Sequence, residues 1–496
     1  MSSSGVLARN TLWYGSVTVL GLLVGLLMSV VLARGLGPDR MGDFSYAAWF
    51  MRLLETLAAQ GLGLGTVRYT ADALGRGNPG RAAGFLRRFT RVQIVLALSV
   101  VAIVAPLVLM FAPPALRLAY LAATLTVVPL SLEGIYMRAT YGAQRYDLTA
   151  RASALKMTLH LIVTAVVLYH GGGVAGVLVG QGVVTVLTCL VQRQYAHSLY
   201  TAVPERLPAP VWREARSFVI PLGAVLLLEM LVWDRTEIFF LRLYVSSGEL
   251  AFYSLAYGLA GRLIVLPNIV VGPLLPALAA LYGTGNREEF SRVFRRAVRY
   301  AMLVAAPLVA VSVAVAPGVV GLLYGERYAP VASMFRVLVV VMLIGVLREV
   351  AWAALQAAGA RRSILYGSLV STAIDLVLAV VLIPRIGTTG ALIAASSAQT
   401  ALAVWAMAAM QRGTGATLPG FAVARIVVAG AVACAVGLAL SVTASVASVL
   451  TTALVAATTF VVMVAVLAVP EPGEWLWIRD LVWRAVGVRV ATQRTR

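Results

Sequence analysis

The stretch YGSVTVLGLLVGLLMSVVLAR, Tyr14 to Arg34, runs twenty residues before it meets a charge. At a rise of about 1.5 Å per residue, a helix of that length spans the ~30 Å hydrocarbon layer of a bilayer. The segment that follows, RGLGPDRMGDF from Arg34 to Phe44, changes character at once, with four charges, three glycines and a proline. Gly35 and Gly37 permit a tight reversal that positive φ would favour, and Pro38 fixes φ at a turn position. Phe44 and Tyr46 then seat the next apolar run near an interface, where aromatic side chains are favoured. Crossing, turn and return crossing define the fold in miniature.

The same alternation fills the chain. Apolar segments fall at about 14–34, 42–63, 91–111, 116–137, 148–169 and 173–195, then 216–240, 250–275, 297–322, 332–356, 363–384 and 388–410, and finally 424–442 and 447–469. The reading is an all-α polytopic membrane protein of about fourteen transmembrane helices, in which helices 2, 7 and 8 carry internal charge. Residues 1–197 form an N-terminal lobe, 198–213 a proline-bearing linker, 214–412 a second lobe, and 413–470 two appended helices. The tail, 471–496, carries Trp475, Trp477 and Trp483 among arginines and suits an amphipathic helix on anionic phospholipid. Composition agrees: 496 residues, 60% hydrophobic and 12% charged, with a mean hydropathy of +0.90, against roughly 25% charged in a soluble domain. That excludes a soluble enzyme.

The net charge of +20 is distributed by side. With the N-terminus inside, inner loops and the tail hold 29 basic residues and outer loops 7, the asymmetry of the positive-inside rule. Both termini are therefore expected in the cytoplasm, and no basic face is gathered for nucleic acid. Cys189 and Cys434 lie in apolar stretches, and His160, His170 and His197 lack ligand spacing, so no metal is expected. Alanine and arginine excess with a single lysine, Lys156, points to a GC-rich bacterial genome and a bacterial cytoplasmic membrane.

An internal repeat is legible. Gly142-Ala143-Gln144-Arg145 is echoed by Gly359-Ala360-Arg361-Arg362 at an offset of 217, Gly173 by Gly390 at the same offset, and Phe44-Ser45-Tyr46-Ala47 by Tyr253-Ser254-Leu255-Ala256 at 209. Two lobes of six helices with parallel topology follow, a common transporter construction with its site between repeats.

Charges within the spans mark candidate function, because a charge at a helix centre costs about 2.5–3.5 kcal/mol on insertion scales. Arg52, Arg262, Arg348 and Arg235 bring guanidinium groups whose planar fork fits phosphate oxygens. Together they describe a cavity for the diphosphate of a lipid-linked substrate, and each of the first three is expected to serve transport rather than folding. Arg52 and Glu55, three apart, share a helix face and can pair. Glu55, Glu229 and Asp375 are candidates for ion coupling, with H+ and Na+ both open; no other cofactor is implied. Pro267, Pro273 and Pro276 mark a hinge around helix 8.

The loop Arg34 to Phe44 closely resembles the signature loop of bacterial polysaccharide transporters of the O-antigen flippase type, within the multidrug/oligosaccharidyl-lipid/polysaccharide exporter superfamily. Gly61-Leu62-Gly63 through Arg68-Tyr69, Tyr253-Ser254-Leu255-Ala256, Pro276 with Gly283 to Phe290, and Leu323-Tyr324-Gly325-Glu326-Arg327-Tyr328-Ala329-Pro330 are similar to that family in order and spacing across residues 8–470. The resemblance implies a fourteen-helix flippase moving an undecaprenyl-diphosphate-linked oligosaccharide to the outer leaflet by alternating access, alongside polysaccharide polymerase machinery. An H+- or Na+-coupled exporter of a small solute is the alternative, a lipid II flippase a lesser one, and a membrane glycosyltransferase a third that lacks a loop for its catalytic acid.

Overall fold

The computed structural model describes residues 3–59, 61–233, 236–440 and 442–469, and among them every regular element is a helix. In chain order these are α1 Ser3–Ala59, α2 Leu62–Gly75, α3 Pro79–Phe111, α4 Pro114–Gly142, α5 Tyr146–Tyr169, α6 Gly173–Leu199, α7 Ala209–Trp233 and α8 Glu237–Tyr244. There follow α9 Ser247–Leu263, α10 Val265–Val271, α11 Leu274–Gly283, α12 Arg287–Tyr324, α13 Pro330–Ala357, α14 Arg361–Thr414, α15 Gly420–Ala439 and α16 Val446–Val466. Eleven of the described helices are long and apolar enough to cross a bilayer. Two of them hold two crossings each. α1 and α14, with 57 and 54 residues, would be about 80 Å long if straight, and each leaves helical geometry at a glycine, Gly37 with φ 74° and Gly387 with φ 55°. With α7, a further 25-residue apolar helix, the crossings come to about fourteen. The chain is a multi-pass membrane protein.

The elements differ from the apolar-window reading in several places, and α2 is a helix that reading did not mark. Helices expected to begin at 91 and 297 begin at 79 and 287, because their leading turns, which carry Arg81, Arg87 and Arg88 in α3 and Arg287, Arg292, Arg295 and Arg296 in α12, are helical but too charged to count as an apolar segment. The expected helix 216–240 is divided between α7 and α8, and the expected helix 250–275 between α9, α10 and α11. The latter break falls at Ile264 and at Gly272-Pro273. Proline lacks the N–H that would continue the ladder, and Pro273 accordingly serves as the N-cap of α11 while Pro267 sits in the first turn of α10 and Pro276 in that of α11.

Turn geometry carries the internal repeat more sharply than residue identity does. After α4, Ala143 N donates to Ala139 O, Gln144 N to Tyr141 O and Arg145 N to Thr140 O; after α13, Ala358 N donates to Ala354 O, Gly359 N to Gln356 O and Ala360 N to Leu355 O. This paired closure of the last helical carbonyls needs one left-handed residue, supplied by Gln144 (φ 58°) and Gly359 (φ 69°). The equivalence is therefore 215 residues, and the Gly142–Gly359 pairing at 217 is displaced by two. The turns α2–α3 and α11–α12 match likewise at 208, with Gly77 and Gly285 left-handed and Asn78 and Asn286 each capping the next helix through its side chain.

Packing divides the chain into two compact units, residues 1–256 with 371–397, and 257–370 with 398–496. In the first, α4 is the central helix, packed by α1, α2, α3 and α6. Its core includes Tyr69, Phe85, Phe89 and Ile135, and Tyr200 closes it by donating to Ala139 O at 2.9 Å; burial raises that phenol above its ordinary range. In the second, α12 is the centre, packed by α13, α15 and α16. Small residues set that approach: a Cβ on Gly437 would lie 2.6 Å from that of Ala314, and one on Gly430 3.6 Å from that of Ala306. With no hydrophobic drive between helices in lipid, such close contacts provide the attraction.

Candidate functional site

The turn between the two halves of α1 is a docking element. Asp43 Oδ1 accepts from Arg242 Nη1 at 2.7 Å and from Ser247 Oγ at 2.9 Å, and Arg242 also reaches Ser247 Oγ. Arg242 lies 5.6 Å from the Tyr46 ring centroid, and Tyr46 meets Tyr120 edge-on. The backbones touch as well: a Cβ on Gly42 would fall 1.7 Å from the carbonyl oxygen of Ser247. The residues of the turn thus clasp the start of α9 within the first unit. Gly37 has the positive φ expected of it, while Gly35 stays helical.

Along the second half of α1, Leu54 and Ala58 are buried against Ala97 of α3 and Val127 of α4. Helical spacing of 100° per residue puts Arg52 nearly opposite that packed face, and Arg52 is exposed while Glu55 is half-buried. An arginine at span depth does not rest against hydrocarbon; it faces water, a partner or the interface.

Asp375 of α14 and Glu237 of α8 are the deepest acids of the first unit among the described residues, 5% and 4% exposed, and their side chains neighbour each other. Oδ1 of Asp375 is buried with no hydrogen-bond partner among the described residues. Sequence reading found Asp375 and passed over Glu237. Its signal in the chain is Glu-Ile-Phe-Phe-Leu, an acid leading an apolar run.

Arg348 and Arg262 belong to the second unit. Arg348 is 5% exposed, and its guanidinium is held by Glu349 and by the Gln399 side-chain oxygen of α14. Arg262 is half-buried and donates from Nη1 to Gly258 O, one turn back on its own helix, at 3.0 Å. Glu133, another acid within a span, is paired with Lys156 and so ties α4 to α5. Arg235 and the Glu229 side chain lie outside the described residues, as does the 471–496 tail.

The family model described as polysaccharide biosynthesis protein matches residues 7–282, more than half of the chain. No curated protein matches in sequence. Among solved structures, the lipid II flippase MurJ in an inward closed conformation shares the fold at a TM-score of 0.74, covering 95% of this chain and 99% of that one at 11% identity. An inward-facing multidrug resistance transporter of the MATE family follows at 0.64, covering 79% of this chain and 94% of its own, with 16% identity. A transporter of the MOP superfamily from Pyrococcus furiosus gives 0.59, with 83% and 95% covered at 18% identity.

Proposed function

Because the chain belongs to the polysaccharide biosynthesis protein family, we propose that it is a flippase, moving a polyprenyl-diphosphate-linked oligosaccharide from the inner to the outer leaflet of a bacterial cytoplasmic membrane by alternating access. The observation that carries this reading is the pairing of that family with a fold shared over 95% of the chain with a lipid II flippase. The physical chemistry is compatible. A diphosphate needs cationic donors that stay charged inside a membrane, which arginine supplies, and Arg52 is the candidate whose side chain is left exposed by its helix's packing. Flipping requires no bond to break, so the residues needed are those that bind, neutralise and move.

Coupling is assigned to Asp375 with Glu237. Taking up a proton or Na+ neutralises a buried charge that otherwise opposes closure of the surrounding helices, and releasing it restores that opposition. In liposomes loaded with undecaprenyl-diphosphate oligosaccharide, flipping by the wild type should accelerate under an imposed H+ or Na+ gradient. Asp375→Asn should lose that acceleration, by tenfold or more, while retaining a slow gradient-independent rate. An unchanged gradient response in Asp375→Asn removes the acid pair from coupling. No flipping of any lipid-linked glycan by folded protein, with gradient-driven efflux of a cationic solute instead, replaces the flippase with the exporter.

A further inference from the structure

The two units carry the same arginine signature at the start of a long helix. Arg87-Arg88-Phe89-Thr90-Arg91 in α3 recurs as Arg295-Arg296-Ala297-Val298-Arg299 in α12, at the offset of 208 that the preceding Gly77-Asn78 and Gly285-Asn286 turns share. Residues four apart occupy one helix face, so 87 with 91, and 295 with 299, point together. Each set borders a cleft. In the first unit, Arg87 and Arg91 join Arg193 of α6 around 590 Å³ that includes Tyr136 of α4. In the second, Arg295, Arg296 and Arg299 line 470 Å³ with Phe421 of α15. Among the described residues no carboxylate lines either cleft, although Arg292, also at the second, is engaged by Glu289 at 2.7 Å. Arg299 is only 6% exposed, so that charge is built into the protein.

Below the arginines of the first cleft the lining turns apolar. Ile94 and Leu190 lie in its wall, and the exposed Leu98 and Leu187 continue α3 and α6 deeper. Since α3 and α6 both pack on α4, the surface is a trough, cationic at the depth where the apolar segment begins and oily beyond it.

We propose that these repeat-related clefts are seats for anionic diacyl phospholipid, with phosphate between the arginines and, in the first unit, an acyl chain along Ile94 and Leu190. Guanidinium pairs bidentately with phosphate, and basic groups at the headgroup layer gain strongly from anionic lipid. A polyprenyl diphosphate shares this chemistry. The duplication favours resident lipid: a cargo crossing the membrane follows one route, while a bound lipid can occupy an equivalent seat in each unit.

The test titrates full-length protein in detergent with phosphatidylglycerol, cardiolipin or phosphatidylcholine, counting bound lipids by native mass spectrometry. Wild type should retain two anionic lipids at least tenfold more tightly than phosphatidylcholine. R87Q/R91Q/R193Q should lose one and R295Q/R296Q the other, each arginine contributing roughly fivefold. Lysine replacements should hold most of the binding, and R91Q alone serves where a multiple variant does not fold. Equal retention of anionic and zwitterionic lipid, or full occupancy in the combined variant, overturns the proposal. So does undecaprenyl diphosphate displacing phospholipid from wild type at equimolar concentration, which would make the clefts part of the cargo route.

Discussion

Replacing Gly42 by valine is expected to abolish transport and to unfold much of the first unit around the turn between the two halves of α1. The reason is contact, since Gly42 lies in an ordinary helical conformation: its added Cβ would sit 1.7 Å from the Ser247 carbonyl oxygen and 2.5 Å from its carbon. Backbone does not step aside as a flexible side chain does. Relief requires α1 to leave the turn before α9, and with it go the bonds of Asp43 to Arg242 and Ser247. Overpacking costs about 1–3 kcal/mol, and each of the two hydrogen bonds to a charged group adds about 1.5–3 kcal/mol, so a loss of roughly 4–9 kcal/mol is expected. Two glycine controls separate the causes. Gly134→Ala, helical with nothing within 4 Å of the new Cβ, should leave the melting temperature unchanged or slightly raised. Gly37→Ala has equal room but a φ of 74° and ψ of 171°, and should lose about 1–3 kcal/mol through backbone strain alone. A Gly42→Val protein melting with the wild type would refute the clasp.

The second large effect divides the arginines that sequence grouped together. Arg348→Ala is expected to lower stability by about 3–5 kcal/mol, because it breaks a pair whose arginine is buried and strips the partner from Glu349 and from the half-buried Gln399 side-chain oxygen. Its transport defect should follow the loss of folded protein. Arg52→Ala removes an exposed side chain whose helix is anchored by its other face, and should leave stability within about 0.5 kcal/mol of wild type while lowering flipping at least tenfold. Arg52→Lys should recover part of the rate. The measurements are melting curves in detergent alongside initial flipping rates per folded molecule. Normal flipping by folded Arg52→Ala removes that residue from the cargo site, and an unaltered melting curve for Arg348→Ala shows its bonds to be dispensable for the fold.

Much of the architecture was legible because a bilayer simplifies the chain's choices. Every backbone group must be satisfied within the span, so twenty uncharged residues from Tyr14 imply a helix without knowledge of their neighbours. The break at Gly37-Pro38, the crossing pattern and the existence of a repeat are read from local chemistry of that kind. The arginine-rich beginnings of α3 and α12 escaped because they are helical by capping and amphipathic packing, which an apolar window does not register. The repeat's register escaped because a left-handed turn position accepts glutamine in one copy and glycine in the other, so identity misaligned what hydrogen bonding aligns.

Sequence alone, then, determined that the chain crosses a membrane many times, where it turns, and which charged residues lie within the spans at real cost. Tertiary structure decided what those charges do. Asp375 meets Glu237 across 138 positions of chain, Arg348 is buried between Glu349 and Gln399, and Arg52 is left exposed because Leu54 and Ala58 take the packed face. A helix's own sequence sets where its side chains project; which of them meets a partner depends on helices that are distant in the chain.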